Sequence, residues 1–317
     1  MILIIGGNGF LGSWFALNCF AENKNFTVLT SKKSNLGRIA QIPQERIVQL
    51  NQSEWPGFIS KLRPTKIVSF DWAGVTSEQR NSIEMQNLNI SRVLQVARAG
   101  IESGVETFLT FGSQAENGPI NKPADEINYD LPTTAYGAAK VALRIQLQEE
   151  FKATDSRLIW GRIFSTYGEM DNRNWLIPSL VHSLHEKKEF SLTSGDQVWS
   201  YLHARDFVSA VNLLLSFEFS KDILVNIGNP NVMTISAIAK MIGDQLGMPE
   251  LLSFGTTQFR PDQVRHLEPV TRTLSDIGWK ASVNVNQGIS EILRWYSGEK
   301  IAYGNLLLPS ASSLEMC

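Results

Sequence analysis

The stretch that most restricts the fold stands at the start of the chain. Residues 1–5, Met-Ile-Leu-Ile-Ile, form an unbroken apolar run, and Gly6-Gly7-Asn8-Gly9-Phe10-Leu11-Gly12 follows directly. Such a run suits a strand buried on both faces of a parallel sheet. Glycines at 6, 9 and 12 allow a tight turn, close backbone approach to a pyrophosphate, and close packing of the next helix on the strand. The helix expected over 11–22 would offer its free N–H groups to the phosphates. A glycine pattern is a weak signal alone, but at a strand-to-helix junction it has the context that gives it meaning.

The remainder alternates between the two periodicities. Strands are expected over 26–30, 47–50, 66–70, 106–111, 157–164 and 224–228, and helices over 55–62, 79–103, 134–154, 203–217, 234–246 and 286–296. This predicts an α/β fold, a doubly wound Rossmann-type parallel sheet with a smaller, mostly C-terminal substrate lobe. The expected division is 1–165 with 203–228 for the cofactor, 166–202 with 229–300 for the substrate, and a tail over 301–317 that matches no recognisable pattern.

Composition narrows the function. The chain has 317 residues, 43% apolar and 19% charged, with a formal net charge of −2. Without a basic footprint, nucleic acid is not an expected partner and small-molecule work is. Cys19 and Cys317 are the only cysteines, too few for a disulfide framework or a thiolate metal site, which suggests a reducing, cytoplasmic setting. No apolar run approaches the ~20 residues that span a bilayer, and because residues 1–5 read as a core strand no cleaved signal peptide is expected. No paired histidines stand with carboxylates at ligand spacing, so no metal is expected.

The end of the second strand bears on the cofactor. A site for NAD usually places an acidic residue there, whereas this chain has Ser31-Lys32-Lys33, a hydroxyl and two cations suited to a 2′-phosphate. NADP(H) is therefore expected ahead of NAD(H), although two lysines can equally solvate a loop. Asn51, after the third strand, could meet the adenine or cap a turn. Small Ala73 and Gly74, after the fourth strand, would let a cofactor lie close.

Tyr136-Gly137-Ala138-Ala139-Lys140 places a phenol and an amine on one helical face. A cation within ~4–6 Å favours phenolate by roughly 1–3 pKa units, so the pair makes a tunable acid/base. Alone, an aromatic packed on a lysine stem would explain it. Ser113, at the carboxyl end of the fifth strand, is placed where a carbonyl could receive a hydrogen bond, and the combination favours catalysis over packing.

The set Gly6-x-x-Gly9-x-x-Gly12, Ser113 and Tyr136-x-x-x-Lys140 resembles the extended short-chain dehydrogenase/reductases acting on nucleotide sugars, the NAD-dependent epimerase/dehydratase family, over nearly the whole chain. Gly112-Ser113-Gln114-Ala115-Glu116 and Gln197-Val198-Trp199-Ser200-Tyr201-Leu202 look like its CDP-abequose synthase branch, which reduces the 4-keto group of a CDP-linked 4-keto-6-deoxy sugar for deoxysugar and polysaccharide assembly. The resemblance implies that Tyr136 exchanges a proton with the sugar oxygen, that Lys140 holds the nicotinamide ribose and depresses the phenol pKa, and that Ser113 orients the carbonyl. It adds Phe10, Leu11 and Ile163 to the cofactor surface. It places Gln114, Glu116, Ser165, Trp199 and Arg260 against the nucleotide-diphosphate sugar.

Two of those positions depart from the family pattern. Ser165 replaces a usual asparagine, and Trp199 often has arginine in its place, so stacking or packing is the expected use of Trp199. A 4-epimerase holding NAD, using the same residues, is the alternative activity, and a non-catalytic dinucleotide-binding protein a more distant one. The resemblance also implies a homodimer formed through helices 79–103 and 134–154.

Overall fold

The computed structural model describes residues 1–76, 79–127, 130–220, 222–259 and 263–314. Apolar segments rich in Ile, Val, Leu and Phe form β1 (Ile2–Ile5), β2 (Phe26–Ser31), β3 (Ile47–Leu50), β4 (Lys66–Ser69), β5 (Thr107–Ser113) and β6 (Arg157–Ile163). With the strand Ile223–Ile227 they make one seven-stranded sheet, ordered β3-β2-β1-β4-β5-β6 and then Ile223–Ile227. Every pairing in it is parallel. The strand order reverses between β1 and β4, and open α/β sheets bind ligands in the crevice beyond the carboxyl ends at such a point.

Helices cover both faces. On one side α1 (Phe10–Ala21) and α6 (Ala204–Ser216) bury Trp14, Phe15, Phe207, Val211 and Leu214 against the sheet. On the other, α2 (Trp55–Leu62), α3 (Ile83–Glu102) and α4 (Ala135–Phe151) contribute Ile59, Val93, Ala97, Leu143 and Leu147. Burying one such Leu or Ile stabilises by roughly 1.5–3 kcal/mol relative to leaving it exposed. A further apolar cluster joins α5 (Leu176–His185), α7 (Ile235–Leu246) and the helix Val285–Tyr296 through Leu180, Ile238, Ile242, Ile289 and Ile292. It lies beyond the strands' carboxyl ends, carried by chain inserted after β6 and after Ile223–Ile227.

Several element ends differ from the sequence expectation for local reasons. The Ser82 hydroxyl accepts the Met85 N–H at 3.4 Å, so α3 begins at Ile83 rather than near 79. Ladder pairing carries β5 through Ser113, opposite Ile163. The carboxylate of Asp206, read as a helix-start residue, accepts the backbone N–H groups of Ser282 and Val283 at 2.9–3.0 Å. It thereby ties α6 to the segment that leads into Val285–Tyr296.

Residues 301–314 pack back on the first helix. Ile301, Leu308 and Ala311 join the α1-side cluster, and Asn18 Nδ2 donates to the Tyr303 hydroxyl at 3.1 Å. Among the described residues no helix is long and apolar enough to cross a membrane.

Candidate functional site

The glycine turn divides its labour. Gly6 has φ +72°, and a Cβ there would meet the Asp71 backbone N at 3.0 Å; a Cβ on Gly12 would meet Gly6 O at 2.3 Å. Those two are required by the protein's own packing. Gly9 is not, because its Cβ would find only Gly6 O, at an ordinary 3.5 Å. Gly9 caps α1 without a side-chain hydrogen bond, and no acidic residue occupies the first turn. The N-terminus of α1 thus keeps its positive partial charge beside an exposed glycine, and a dinucleotide pyrophosphate fits this arrangement. Phe10 and Leu11 are half-buried just behind it.

At the end of β2, Ser31 is half-buried with its hydroxyl 2.9 Å from that of Ser34, and Lys32 and Lys33 are exposed. Asn51 is used as a cap, with its N–H and Nδ2 both donating to Glu54, at 2.9 and 2.7 Å. This is the second of the two roles open to it, and its side chain is already engaged. Past β4, Asn89 clamps both polar groups of the Ala73 backbone at 2.8 and 3.1 Å, and Gln86 Nε2 donates to Gly74 O at 3.0 Å. Buried polar side chains on α3 therefore hold the loop and leave the Ala73 methyl exposed.

The reacting groups converge because one helix docks on one turn. Thr134 Oγ1 accepts the Gly137 N–H at 3.1 Å and starts α4. A Cβ on Gly137 would meet Ala115 O at 2.3 Å, so the helix head touches the 114–116 turn only because residue 137 is glycine. That contact sets the Tyr136 phenol close to the Ser113 side chain, whose hydroxyl accepts the Ala115 N–H at 3.2 Å. Lys140 is buried, and its Nζ donates to Phe111 O at 2.7 Å. Ser113, Tyr136 and Lys140 are thus gathered at the carboxyl end of β5, and Ile163 stands beside Ser113 on β6.

Burial dominates the electrostatics here. It pushes the Tyr136 phenol up to about 12, opposite to the lowering expected from Lys140, because burial outweighs the neighbouring Ser113 hydroxyl and Glu116 adds to the rise. It draws the Lys140 amine down to about 7, with Glu116 and Asp71 pulling the other way. The amine also lies 3.5 Å from the centre of the Trp72 ring. Trp72, its indole N–H bound to Gln86 at 2.9 Å, walls the site from the β4 side. It was not among the residues expected from sequence, although its place directly before Ala73-Gly74 was a usable signal.

The expected substrate contacts divide. Gln114 is half-buried next to Ser113 and, with Phe164 and His266, lines a small cavity. Glu116 departs from expectation. It is fully buried, its carboxylate accepts the Ser113 backbone N–H at 2.8 Å, and it faces Trp160 and Arg162 rather than the cleft. Trp199 and Ser165 find each other, the indole N–H donating to the hydroxyl at 2.7 Å. Trp199 also packs on Phe164 and Leu267, the packing use expected for it. Arg260 lies outside the described residues.

One cluster of three histidine and carboxylate side chains with ligand atoms within 4.8 Å of one another exists among the described residues, Glu169, His203 and Glu291. Arg205 pairs with Glu291 there and supplies positive charge. His203 Nδ1 accepts the Arg205 backbone N–H at 3.2 Å, which turns its other nitrogen toward Glu169, 3.4 Å away.

Comparison with known proteins identifies the family. The model of the "NAD dependent epimerase/dehydratase family" matches residues 2–228. A putative GDP-L-fucose synthase 2 of Arabidopsis thaliana is 21% identical over 269 residues, covering 78% of this chain and 80% of that one. A dTDP-D-glucose 4,6-dehydratase of Mus musculus is 22% identical over 314 residues, covering 93% and 88%. Among solved structures, the UDP-glucose 4-epimerase of Thermotoga maritima with UDP-glucose superposes with a TM-score of 0.82, at 17% identity over 93% of this chain and 98% of the other. With the family match spanning most of its length and the Ser113–Tyr136–Lys140 group assembled beside the glycine turn, the chain is an enzyme of the NAD dependent epimerase/dehydratase family.

Proposed function

We propose that the chain catalyses NADPH-dependent reduction of the 4-keto group of a nucleotide-linked 4-keto-6-deoxyhexose. The carrying observation is the convergence of three groups at the carboxyl end of β5: the Ser113 hydroxyl, the Tyr136 phenol and the buried Lys140 amine, which is anchored on Phe111 O at 2.7 Å. Reducing a ketone requires a proton donor at the oxygen where alkoxide develops, and a phenol poised as an acid meets that need.

The bound dinucleotide would supply the hydride. The glycine turn and the N-terminus of α1 hold its pyrophosphate, and Ser31, Lys32 and Lys33 suit a 2′-phosphate. Lys140 and Ala73 face its nicotinamide end. Ser113 donates to the carbonyl oxygen and fixes its direction, and Tyr136 delivers the proton to that oxygen. Trp72 keeps water from the amine. Gln114, Ser165 and Trp199 line the sugar's approach, and a diphosphate contact is assigned to Arg260.

The test is to incubate purified protein with NADPH and CDP- or dTDP-4-keto-6-deoxyglucose and follow the absorbance of the reduced cofactor. Stoichiometric oxidation supports the proposal, and none across a panel of such sugars removes it. The superposition on a UDP-glucose 4-epimerase favours one other reading, in which a 4-epimerase withdraws and returns hydride at the same carbon. Sugar interconversion with no added reductant, by protein that purifies with NAD bound, would establish that activity instead.

A further inference from the structure

Glu116 is the most deeply buried acid at the site, and the chain is built around it. The carboxylate is completely inaccessible, yet it reaches five groups. Oε1 accepts the Ser113 backbone N–H at 2.8 Å. The Trp160 indole N–H lies 3.3 Å from both oxygens. Arg162 Nε stands 3.4 Å and Arg144 Nε 3.7 Å from Oε2, and Lys140 is near enough to interact through charge. Asp130 balances the guanidiniums from outside, pairing Arg144 at 2.5 Å and lying 4.0 Å from Arg162.

The backbone has been cleared for this carboxylate. A Cβ on Gly112 would stand 2.0 Å from Glu116 Oε1 and 2.3 Å from the Trp160 indole nitrogen. Trp160 and Arg162 share one face of β6 and lie opposite Thr110 and Gly112 of β5. Gly112, Glu116, Trp160 and Arg162 therefore form one interlocked unit. Glu116 and Ser113 close a reciprocal capping box, in which the Ser113 hydroxyl accepts the Ala115 N–H at 3.2 Å. A capping carboxylate, however, needs neither full burial nor a buried guanidinium, and burying an ion pair adds little net stability compared with an apolar filling of the same volume.

We propose that Glu116 is a positioning residue: from behind the strand it grips the Ser113 backbone, and with Arg162 as countercharge it sets the direction of the Ser113 hydroxyl and the field at Tyr136 and Lys140. This deepens the reductase reading and rests on it. The groups facing the carboxylate are Arg162 and the Trp160 indole N–H of β6, Arg144 and Lys140 of α4 and the Ser113 N–H of β5. Burial raises the Glu116 carboxyl above its usual range, and Arg162, the Ser113 N–H, Arg144 and Lys140 draw it back toward the ionised form; ionised, it raises both the Lys140 amine and the Tyr136 phenol. Neutralising it moves both downward, so the alkaline limb of the pH–rate profile, where the phenol ceases to be an acid, shifts to lower pH.

Three variants separate the effects. Glu116→Gln keeps an acceptor for the Ser113 N–H and removes the charge: the Ser113 amide stays protected from hydrogen exchange, and kcat falls about tenfold with the alkaline limb moved down by roughly one unit. Glu116→Leu removes both effects: the Ser113 amide exchanges freely, and kcat falls about 100-fold with KM within about twofold. Glu116→Leu with Arg162→Met replaces the buried pair by apolar volume and regains Tm but not kcat.

A double variant that recovers Tm and kcat together would show Glu116 to be structural only and overturn the proposal. Unchanged Ser113 protection in Glu116→Leu would overturn it as well. That exchange reading needs no substrate. If the wild-type chain reduces no sugar in the panel, the reductase reading falls, and Ser113 exchange still decides the role of Glu116.

Discussion

Tyr136 and Ser113 were legible from spacing and strand position, because a tyrosine four residues before a lysine leaves little freedom in where each points. Glu116 was not, since a carboxylate in a turn reads as cleft-facing until the strand beside it shows a tryptophan and an arginine on the inward face. Gly112 carried the only local hint. Tyr136→Phe keeps the ring and removes the transferable proton, so kcat should drop by about 10²–10⁴-fold with little change in Tm, in a steady-state assay beside a melting curve. A second titration lies in Asp171, 8% exposed, whose carboxyl burial pushes from 3.8 up to about 8. The folded value exceeds the unfolded one, so its stabilising contribution is full below the unfolded value and is lost as pH rises through about 8. Asp171→Asn should therefore melt above the wild type near pH ~9 and gain no such advantage near pH ~4.

Strands and helices of the sheet followed from the sequence because apolar runs and glycine junctions report them directly. Ends were set by partners farther away or by single caps, such as Ser82 for α3 and Thr134 for α4. The docking of α4 on the 114–116 turn could not be read locally, because the clash that Gly137 avoids is with residue 115. At this scale the glycine turn gives a paired expectation. Gly12→Ala drives a methyl into Gly6 O and should cost about 1–3 kcal/mol by denaturant unfolding. Gly9→Ala meets nothing in the protein closer than 3.5 Å. It should leave stability within about 0.5 kcal/mol while weakening dinucleotide affinity, as measured by calorimetric titration.

Across the whole molecule, α3 and α4 pack on one another and are joined by Arg98 and Glu150 at 2.6 Å. They still expose Ile83 at 68%, Leu88 at 60% and Ile145 at 50%, an apolar burden of the kind that marks contact surfaces. We expect a second copy to cover this face. Sedimentation should give a dimer, and Leu88→Glu with Ile145→Glu a folded monomer. The packing of 301–314 on α1 acts on folding rather than on chemistry. Helix α1 obtains part of its cover from residues made long after it, so Trp14 and Asn18 lack Tyr303 until that later segment has emerged. Nascent chains halted before residue 301 should leave that helix open to chaperone binding, and its protection from protease should arrive late and in one step.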